Sequence, residues 1–308
     1  MRFSFLACLV AFLGVVPLAW FAGRSRRLIW LPGTVLQLGL LLGIFVAGGQ
    51  LWSVIPLKLG LSHFAPFAFA LEVDRLAAFF LFLICGVALP VILFSQSYLA
   101  RHYSEIQAQW IWALCSLFLL SMVLVVVAAT AFSFLIGWEL MTLLSAALIL
   151  VDGTSQERLH NLFIYLLMMH AGAAAVAASF FAFLPVSGDL HFSSLRASSV
   201  LLTPGARTAI FMLAFVGFGT KAGIIPLHLW LPRAHPIAPT PVSALMSGLM
   251  LKTAIYGFVR FSFDFLGGVP GWAGYLVLIA GAVSGLLGVL YAIAEHDLKR
   301  LQIGRAHV

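Results

Sequence analysis

Polar positions in this chain fall in short clusters, and the stretches between them are apolar for a whole helix length at a time. A hydrocarbon core about 30 Å thick takes roughly 20 residues of helix to cross. On that ruler the apolar runs predict spans at Phe3–Ala22, Leu28–Trp52, Leu76–Ser95, Trp110–Ala128, Ala131–Val151, Leu162–Leu184, Thr208–Trp230, Val242–Phe263 and Trp272–Ala294, about nine in all. The seventh is broken by glycines and a proline. The expected fold class is therefore an all-α polytopic membrane protein. Between the second and third spans, Ser53–Asp74 holds two prolines and an alternating Phe64–Val73 stretch, which predicts a short hairpin capping the bundle. The segment Gly188–Gly205, with Ser193, Ser194, Ser198 and Ser199, reads as an extramembrane connection.

Composition agrees with the pattern. Of 308 residues 63% are hydrophobic and 9% charged, with a mean hydropathy of +1.10, whereas a soluble domain is about 25% charged. The net charge of +7 is spread over many short loops without a basic tract, which excludes nucleic acid as a partner. Its use is orientation. With the N-terminus outside, the inner loops carry Arg24, Arg26, Arg27, Arg101, Arg158, Arg233, Lys299 and Arg300. The outer side then carries the smaller set Arg2, Lys58, Arg75, Arg196, Arg207 and Arg260, as the positive-inside rule asks. The first apolar run follows Arg2 as a signal peptide would, but no A-x-A-like site precedes Arg24, so a retained span is expected. Cys8, Cys85 and Cys115 lie inside spans with no C-x-x-C spacing, so no disulfide, zinc site or iron–sulfur cluster is expected. His170 and His228 are more simply polar groups of a hydrated bundle than haem ligands. No cofactor and no metal are expected, and the chain shows no phosphate loop or dinucleotide fingerprint.

Chemistry is concentrated in a few ionisable groups at membrane depth. A charge there costs roughly 2.5–3.5 kcal/mol on the insertion scale, so it asks for a partner or a wet path. Glu139, in Gly137-Trp138-Glu139-Leu140-Met141, has no Lys or Arg within a turn or two of its helix. Lys221 and Lys252 are the basic residues at comparable depth, and two lysines for one carboxylate leave one lysine free to change protonation. A static ion pair tethering two helices is the plainer alternative. Gly217, Gly219, Gly223 and Pro226 surround Lys221, and proline removes an amide donor and clashes with the preceding turn. Interrupted spans of this kind are where transporters hold ions. His170 and His228 are candidates for relay, since histidine titrates near neutrality. His235 sits in the turn Pro232–Pro241, where it shapes the loop or admits protons. Thr240-Pro241 suits a helix start, with threonine as cap.

These residues resemble the antiporter-like membrane subunits, a family that spans respiratory complex I, the membrane arms of energy-converting NiFe hydrogenases and the Mrp-type sodium/proton antiporters. The stretches that carry the resemblance are Gly137–Met141, Gly219–His228, Trp230–His235, Ala238–Gly248 and Leu251–Gly257. The wording of Leu231–Gly257 is most like that of the hydrogenase-4 and formate hydrogenlyase members of the family. The resemblance implies a proton relay of Glu139 on the fifth helix, Lys221 on the broken seventh and Lys252 on the eighth, with His170, His228 and His235 beside it. It implies three N-terminal helices over 1–105, a five-helix channel repeat over 106–263 and the start of a second repeat over 264–302. Implied partners are other membrane and peripheral subunits of a redox complex, the lipid bilayer and protons, with sodium as an alternative. The implied location is the inner (plasma) membrane. An Mrp-type antiporter subunit and a non-transporting structural subunit are the competing functions. The pattern breaks off after Glu295–Leu301, and Ile303–Val308 reads as translated sequencing adapter, so the expectation is a chain interrupted early in the second repeat.

Overall fold

Long apolar helices with little to distinguish their faces bury themselves in one another, and the polar turns between them settle at the two ends of the bundle. A computed structural model of the chain describes residues 1–22, 28, 30–60 and 68–294. Arg24, Arg26, Arg27, the first part of the expected hairpin, Glu295–Leu301 and Ile303–Val308 lie outside the described residues. Helices α1 (Arg2–Ala22) and α2 (Leu31–Leu51) pack together, followed by the hairpin of β1 (Leu57–Gly60) and β2 (Ala70–Val73) and by α3 (Arg75–His102), which packs on α2. Then come α4 (Glu105–Val127), α5 (Ala131–Leu150) and α6 (Gln156–Phe181), the first packing on both α1 and α5. Short α7 (Leu184–Ser187) and α8 (Phe192–Ser198) lead into α9 (Pro204–Ala222). After α10 (Leu231–Ala234), α11 (Thr240–Leu245) and α12 (Leu251–Val259) are joined by a π-helical turn at Met246–Met250, and a second π turn covers Arg260–Phe265. Last is α13 (Gly271–Ala294).

Among the described residues eight helices are long and apolar enough to cross a membrane, against the nine spans expected. The difference is the seventh: the 19 residues of α9 include Arg207 and Lys221 and fall short in apolarity, and the helix stops at Ala222, where Gly223 takes φ 80° and turns the chain out of it. Local chemistry starts the others. Ser104 with Gln107, and Thr130 with Ser133, form reciprocal capping boxes, and Asp74 accepts the Ala77 amide at the head of α3. Thr240 departs from its expected role as a cap. Pro239 holds that position, and the Thr240 hydroxyl pairs with Tyr98 Oη at 3.0 Å. Close packing needs small residues where helices touch. A Cβ added to Gly217 of α9 would stand 2.8 Å from both the Gly172 carbonyl oxygen and the Val176 nitrogen of α6.

One end of the bundle is closed by polar contacts. The hairpin pairs Leu57 with Val73 through Gly60 with Ala70, and the turn between α4 and α5 binds its open side: the Ala129 amide and Ser133 hydroxyl donate to Ala70 O, and the Thr130 hydroxyl to Ala68 O. Beside it lies a buried ion cluster that the sequence pattern does not announce, because Arg260 falls there among the outer loops. Its side chain is 5% exposed. Arg260 Nη1 donates to Asp74 Oδ2 (2.5 Å) and Asp264 Oδ2 (2.8 Å), Nη2 to Asp74 Oδ1 (2.7 Å) and Tyr256 Oη (3.0 Å), and Nε to Tyr256 Oη (3.2 Å). Tyr256 in turn donates to Val126 O at 2.6 Å, and Arg196 Nε of α8 donates to Asp264 Oδ1 at 2.8 Å. One guanidinium thereby ties together α3, α4, α8 and α12.

Burial works to raise the Asp74 carboxyl, but the Arg260 hydrogen bonds and charge, the Ala77 amide and the Arg196 charge outweigh it and hold Asp74 below the usual carboxylate range. A group depressed in the folded state contributes stability that is present above its unfolded value, near 3.9, and is lost as pH falls through the folded one. The thermal midpoint of the wild type in detergent should therefore exceed that of Asp74→Asn by a constant margin above about pH 5, and the margin should shrink below about pH 4. A margin independent of pH down to the acid limit would show that Asp74 does not act as a paired carboxylate.

Candidate functional site

The end of α9 inside the bundle leaves backbone groups without helical partners, and the surrounding side chains supply them. Gly223 and Ile224 amides turn back to the Gly219 carbonyl. Trp230 Nε1 donates to Thr220 O at 2.7 Å, and the Ile225 amide donates to Ser284 Oγ of α13 at 3.0 Å. Irregular backbone at membrane depth is tolerated only with such internal partners or beside water.

Lys221 is the last but one residue of α9 and is 1% exposed. Its Nζ donates to Trp138 O at 3.1 Å and Thr142 Oγ1 at 2.8 Å, and stands 4.2 Å from the Trp138 ring centroid. Two oxygens and an aromatic face thus solvate the amine in place of water. The acceptor turn is itself braced: Ser145 Oγ donates to Thr142 O at 2.8 Å and pairs with Tyr165 Oη of α6 at 2.5 Å, while the Tyr165 ring lies 5.4 Å from Trp230. The indole that caps Thr220 therefore also packs against the ring of Tyr165, whose hydroxyl pairs with Ser145 beside the Lys221 acceptor. Thr142, Ser145 and Tyr165 are not among the residues expected from sequence. For the first two the signal is there, since Thr142 and Ser145, four and seven residues past Trp138, share one face of α5 with it.

Glu139 is placed differently from expectation. Successive residues of a helix point about 100° apart, so with Trp138 turned inward Glu139 turns toward the bundle surface. There its Oε2 lies 3.5 Å from His170 Nε2, the two side chains being 37% and 50% exposed. His170 Nδ1 is paired with Leu166 O at 2.8 Å. Among the described residues neither lysine forms an ion pair with Glu139 within 4.0 Å, although the carboxylate remains within electrostatic reach of Lys221. The expected Glu139–Lys221 contact is thus replaced by two adjacent sites on α5, one inside and one facing outward.

Lys252 also departs from the expected burial. It lies one residue into α12, just past the π turn, and is exposed on the outer face, its Nζ donating to Ser247 O at 3.3 Å. No hydrogen bond joins it to Lys221 among the described residues. His235 is buried, with Nδ1 paired to Ser243 Oγ at 3.0 Å and its ring stacked 6.1 Å from Trp230. His228, in the non-helical stretch after Gly223, has its ring 6.4 Å from that of Tyr291 on α13. Trp230 consequently connects Tyr165, His235 and the end of α9. The cysteines Cys8, Cys85 and Cys115 are buried free thiols.

Known proteins are similar to this chain in sequence and in fold. Residues 128–303 match the profile of a family described as NADH:quinone oxidoreductase/Mrp antiporter, TM, and residues 62–107 match one described as NADH-Ubiquinone oxidoreductase (complex I), chain 5 N-terminus. The chain is 41% identical over 287 residues to hydrogenase-4 component B of Escherichia coli (strain K12), covering 91% of this chain and 41% of the relative. It superposes with TM-score 0.83 on a chain of the membrane-bound sulfane sulfur reductase, an archaeal respiratory membrane complex, at 22% identity over 97% of this chain and 49% of the other. The same score, at 26% identity, relates it to a chain of the Mrp complex from Dietzia sp. DQ12-45-1b, covering 98% of this chain and 32% of that one. It thus spans less than half the length of these relatives.

Replacing Thr142 with valine removes the hydroxyl acceptor while keeping the volume. A buried charged donor that loses its acceptor costs about 1.5–3 kcal/mol, so Thr142→Val should lower the thermal midpoint in detergent, and Thr142→Ser, which restores the oxygen, should recover most of it. Equal midpoints for Thr142→Val and the wild type would detach Thr142 from Lys221.

Proposed function

Because the chain belongs to the NADH:quinone oxidoreductase/Mrp antiporter transmembrane family, we propose that it is a proton-translocating membrane subunit of a redox-driven complex of the hydrogenase or NADH:quinone type. In this reading residues 106–263 supply one channel half and Lys221 is its proton carrier. The observation that carries the reading is the coincidence of a buried lysine with the break in α9, docked on α5 through Trp138 and Thr142.

The mechanism is electrostatic. Lys221 holds its proton while Trp138 O, Thr142 and the Trp138 ring solvate the ammonium. Glu139, on the outward side of the same turn, sets the field at the amine and is coupled to the outside by His170. A partner subunit that draws the Glu139 charge toward His170, or protonates the pair, lowers the hold on the Lys221 proton, which then moves toward Lys252. His235 and His228 line the non-helical segment on the way to the surface. The outward placement of Glu139, His170 and Lys252 supports contact with other subunits of the complex, in the inner membrane with the N-terminus outside.

The likeness to the Mrp complex supports a second reading, sodium/proton exchange, which sodium-dependent transport would favour. For the first reading, Lys221→Ala in the assembled complex should reduce redox-driven proton uptake into proteoliposomes to the level of empty vesicles while electron transfer by the partner subunits persists. Unchanged uptake would remove Lys221 from the path.

A further inference from the structure

Three spanning helices end together at the hairpin end of the bundle: α2 stops at Leu51, α3 starts at Arg75, and the helical run from Thr240 stops at Phe265. Between them lies a cavity of about 510 Å³, within the roughly 300–1,000 Å³ usual for a small-molecule site. Its wall is of two kinds. Leu76, Val259 and Phe263 make one side apolar, while Ser53, Arg75 and the Arg260 cluster make the other polar. A cavity so divided, placed where helices leave the hydrocarbon, matches a molecule that is itself part apolar and part polar.

Charge narrows the occupant. Asp74 and Asp264 balance Arg260 and Arg196, and all five Arg260 N–H groups are already engaged, so Arg260 offers a ligand neither net charge nor a spare donor. Arg75 is the charge left over in the wall. Among the described residues it forms no ion pair, and its one hydrogen bond, from Nε to Ser53 O at 3.3 Å, leaves the two Nη groups for a ligand. A guanidinium presents such donors in the planar fork that suits a phosphate. One surplus positive charge fits one negative charge, which a phosphodiester carries.

The rim gives the depth. Trp52 is 90% exposed and is followed by exposed Val54 and Ile55, and tryptophan gathers where the bilayer meets water. From the cavity an apolar strip runs inward along the helix. Phe263 and Ile255 are exposed and Val259 stands between them, each four residues from the next, over about 12 Å. A free anion uses Arg75 alone, whereas a lipid uses the strip as well, and basic pockets between spanning helices are places where lipid headgroups bind. We propose that this cavity is a binding site for a phospholipid of one negative charge, with its phosphodiester on the Arg75 guanidinium and an acyl chain along Phe263, Val259 and Ile255. The site needs a membrane-spanning chain and no part of the proton path, so it is independent of the role of Lys221.

Native mass spectrometry reads the site directly. The full chain, purified in detergent and stripped of lipid, is titrated with phosphatidylglycerol or with zwitterionic phosphatidylcholine. Wild type should take up a single phosphatidylglycerol in preference to phosphatidylcholine. Arg75→Gln, a change on an exposed side chain, should weaken that uptake roughly tenfold, as loss of a hydrogen bond to a charged group does, and remove the preference. Arg75→Lys, which keeps the charge, should retain part of it. Lys58→Gln is the control for diffuse surface charge: Lys58 is 66% exposed at the same end of the bundle, and its loss should change uptake by less than about twofold. Equal uptake of the two lipids by wild type, or an equal loss in Lys58→Gln and Arg75→Gln, overturns the site. Inorganic phosphate that displaces phosphatidylglycerol at the same concentration leaves an anion site and overturns the lipid. An Arg75-dependent adduct of protein mass in place of lipid mass assigns the face to another subunit and overturns it too.

Discussion

In a hydrocarbon core a backbone group without a partner costs several kcal/mol, and α9 stops in the middle of the bundle. Everything around Ala222 and Gly223 answers that constraint. Trp230 reaches back to Thr220 O, Ser284 reaches across from α13 to the Ile225 amide, and the freed end of the helix carries Lys221 onto the carbonyl of Trp138. The amine is therefore part of how the break is satisfied as well as a titratable group within it. A site whose charged residue also completes the backbone bonding has two physical reasons to sit where it does. Trp230 extends the same solution to Tyr165 and His235, so three elements meet at the break through one indole.

The helix that follows is held differently. Between Thr240 and Phe265 the chain is helical throughout but twice widens into a π turn, once before Lys252 and once at Arg260. Such turns are frequent at functional positions because they rotate the side chains beyond them. One places Lys252 on the outer face. The other lets Arg260 and Asp264 close on Asp74 at the start of α3, so that a pair distant in sequence fixes the end of the helix. At the end of α9 and the end of α12 alike, the buried cation and the freed backbone groups described above are matched by named partners.

Much of the fold was legible because its signals are local. Apolar run lengths give the spans, Ser104, Thr130 and Asp74 announce helix starts, and the prolines and alternation of 53–74 indicate a hairpin. Where local signals compete, the sequence misleads. Thr240 has the chemistry of a cap, yet Tyr98 from another helix takes its hydroxyl. Arg260 has the composition of a loop residue, and its burial follows from two carboxylates, one of them 186 positions away.

The site divides along the same line. The candidates Glu139, Lys221, Lys252, His170 and His228 stand out in the sequence because ionisable groups inside apolar runs are costly, and cost is a property of one residue in its own segment, while His235 stands out by its place in the polar turn. Which of them meet is settled by the rotation of each helix about its axis and by what packs against it. Trp138 turns inward to receive Lys221, and the next residue, Glu139, must then turn outward to His170. A chain without strongly sided helices does not specify those rotations locally. They come from the close approach of α6 to α9 and from the ion cluster that anchors α12, and only the packed bundle contains both.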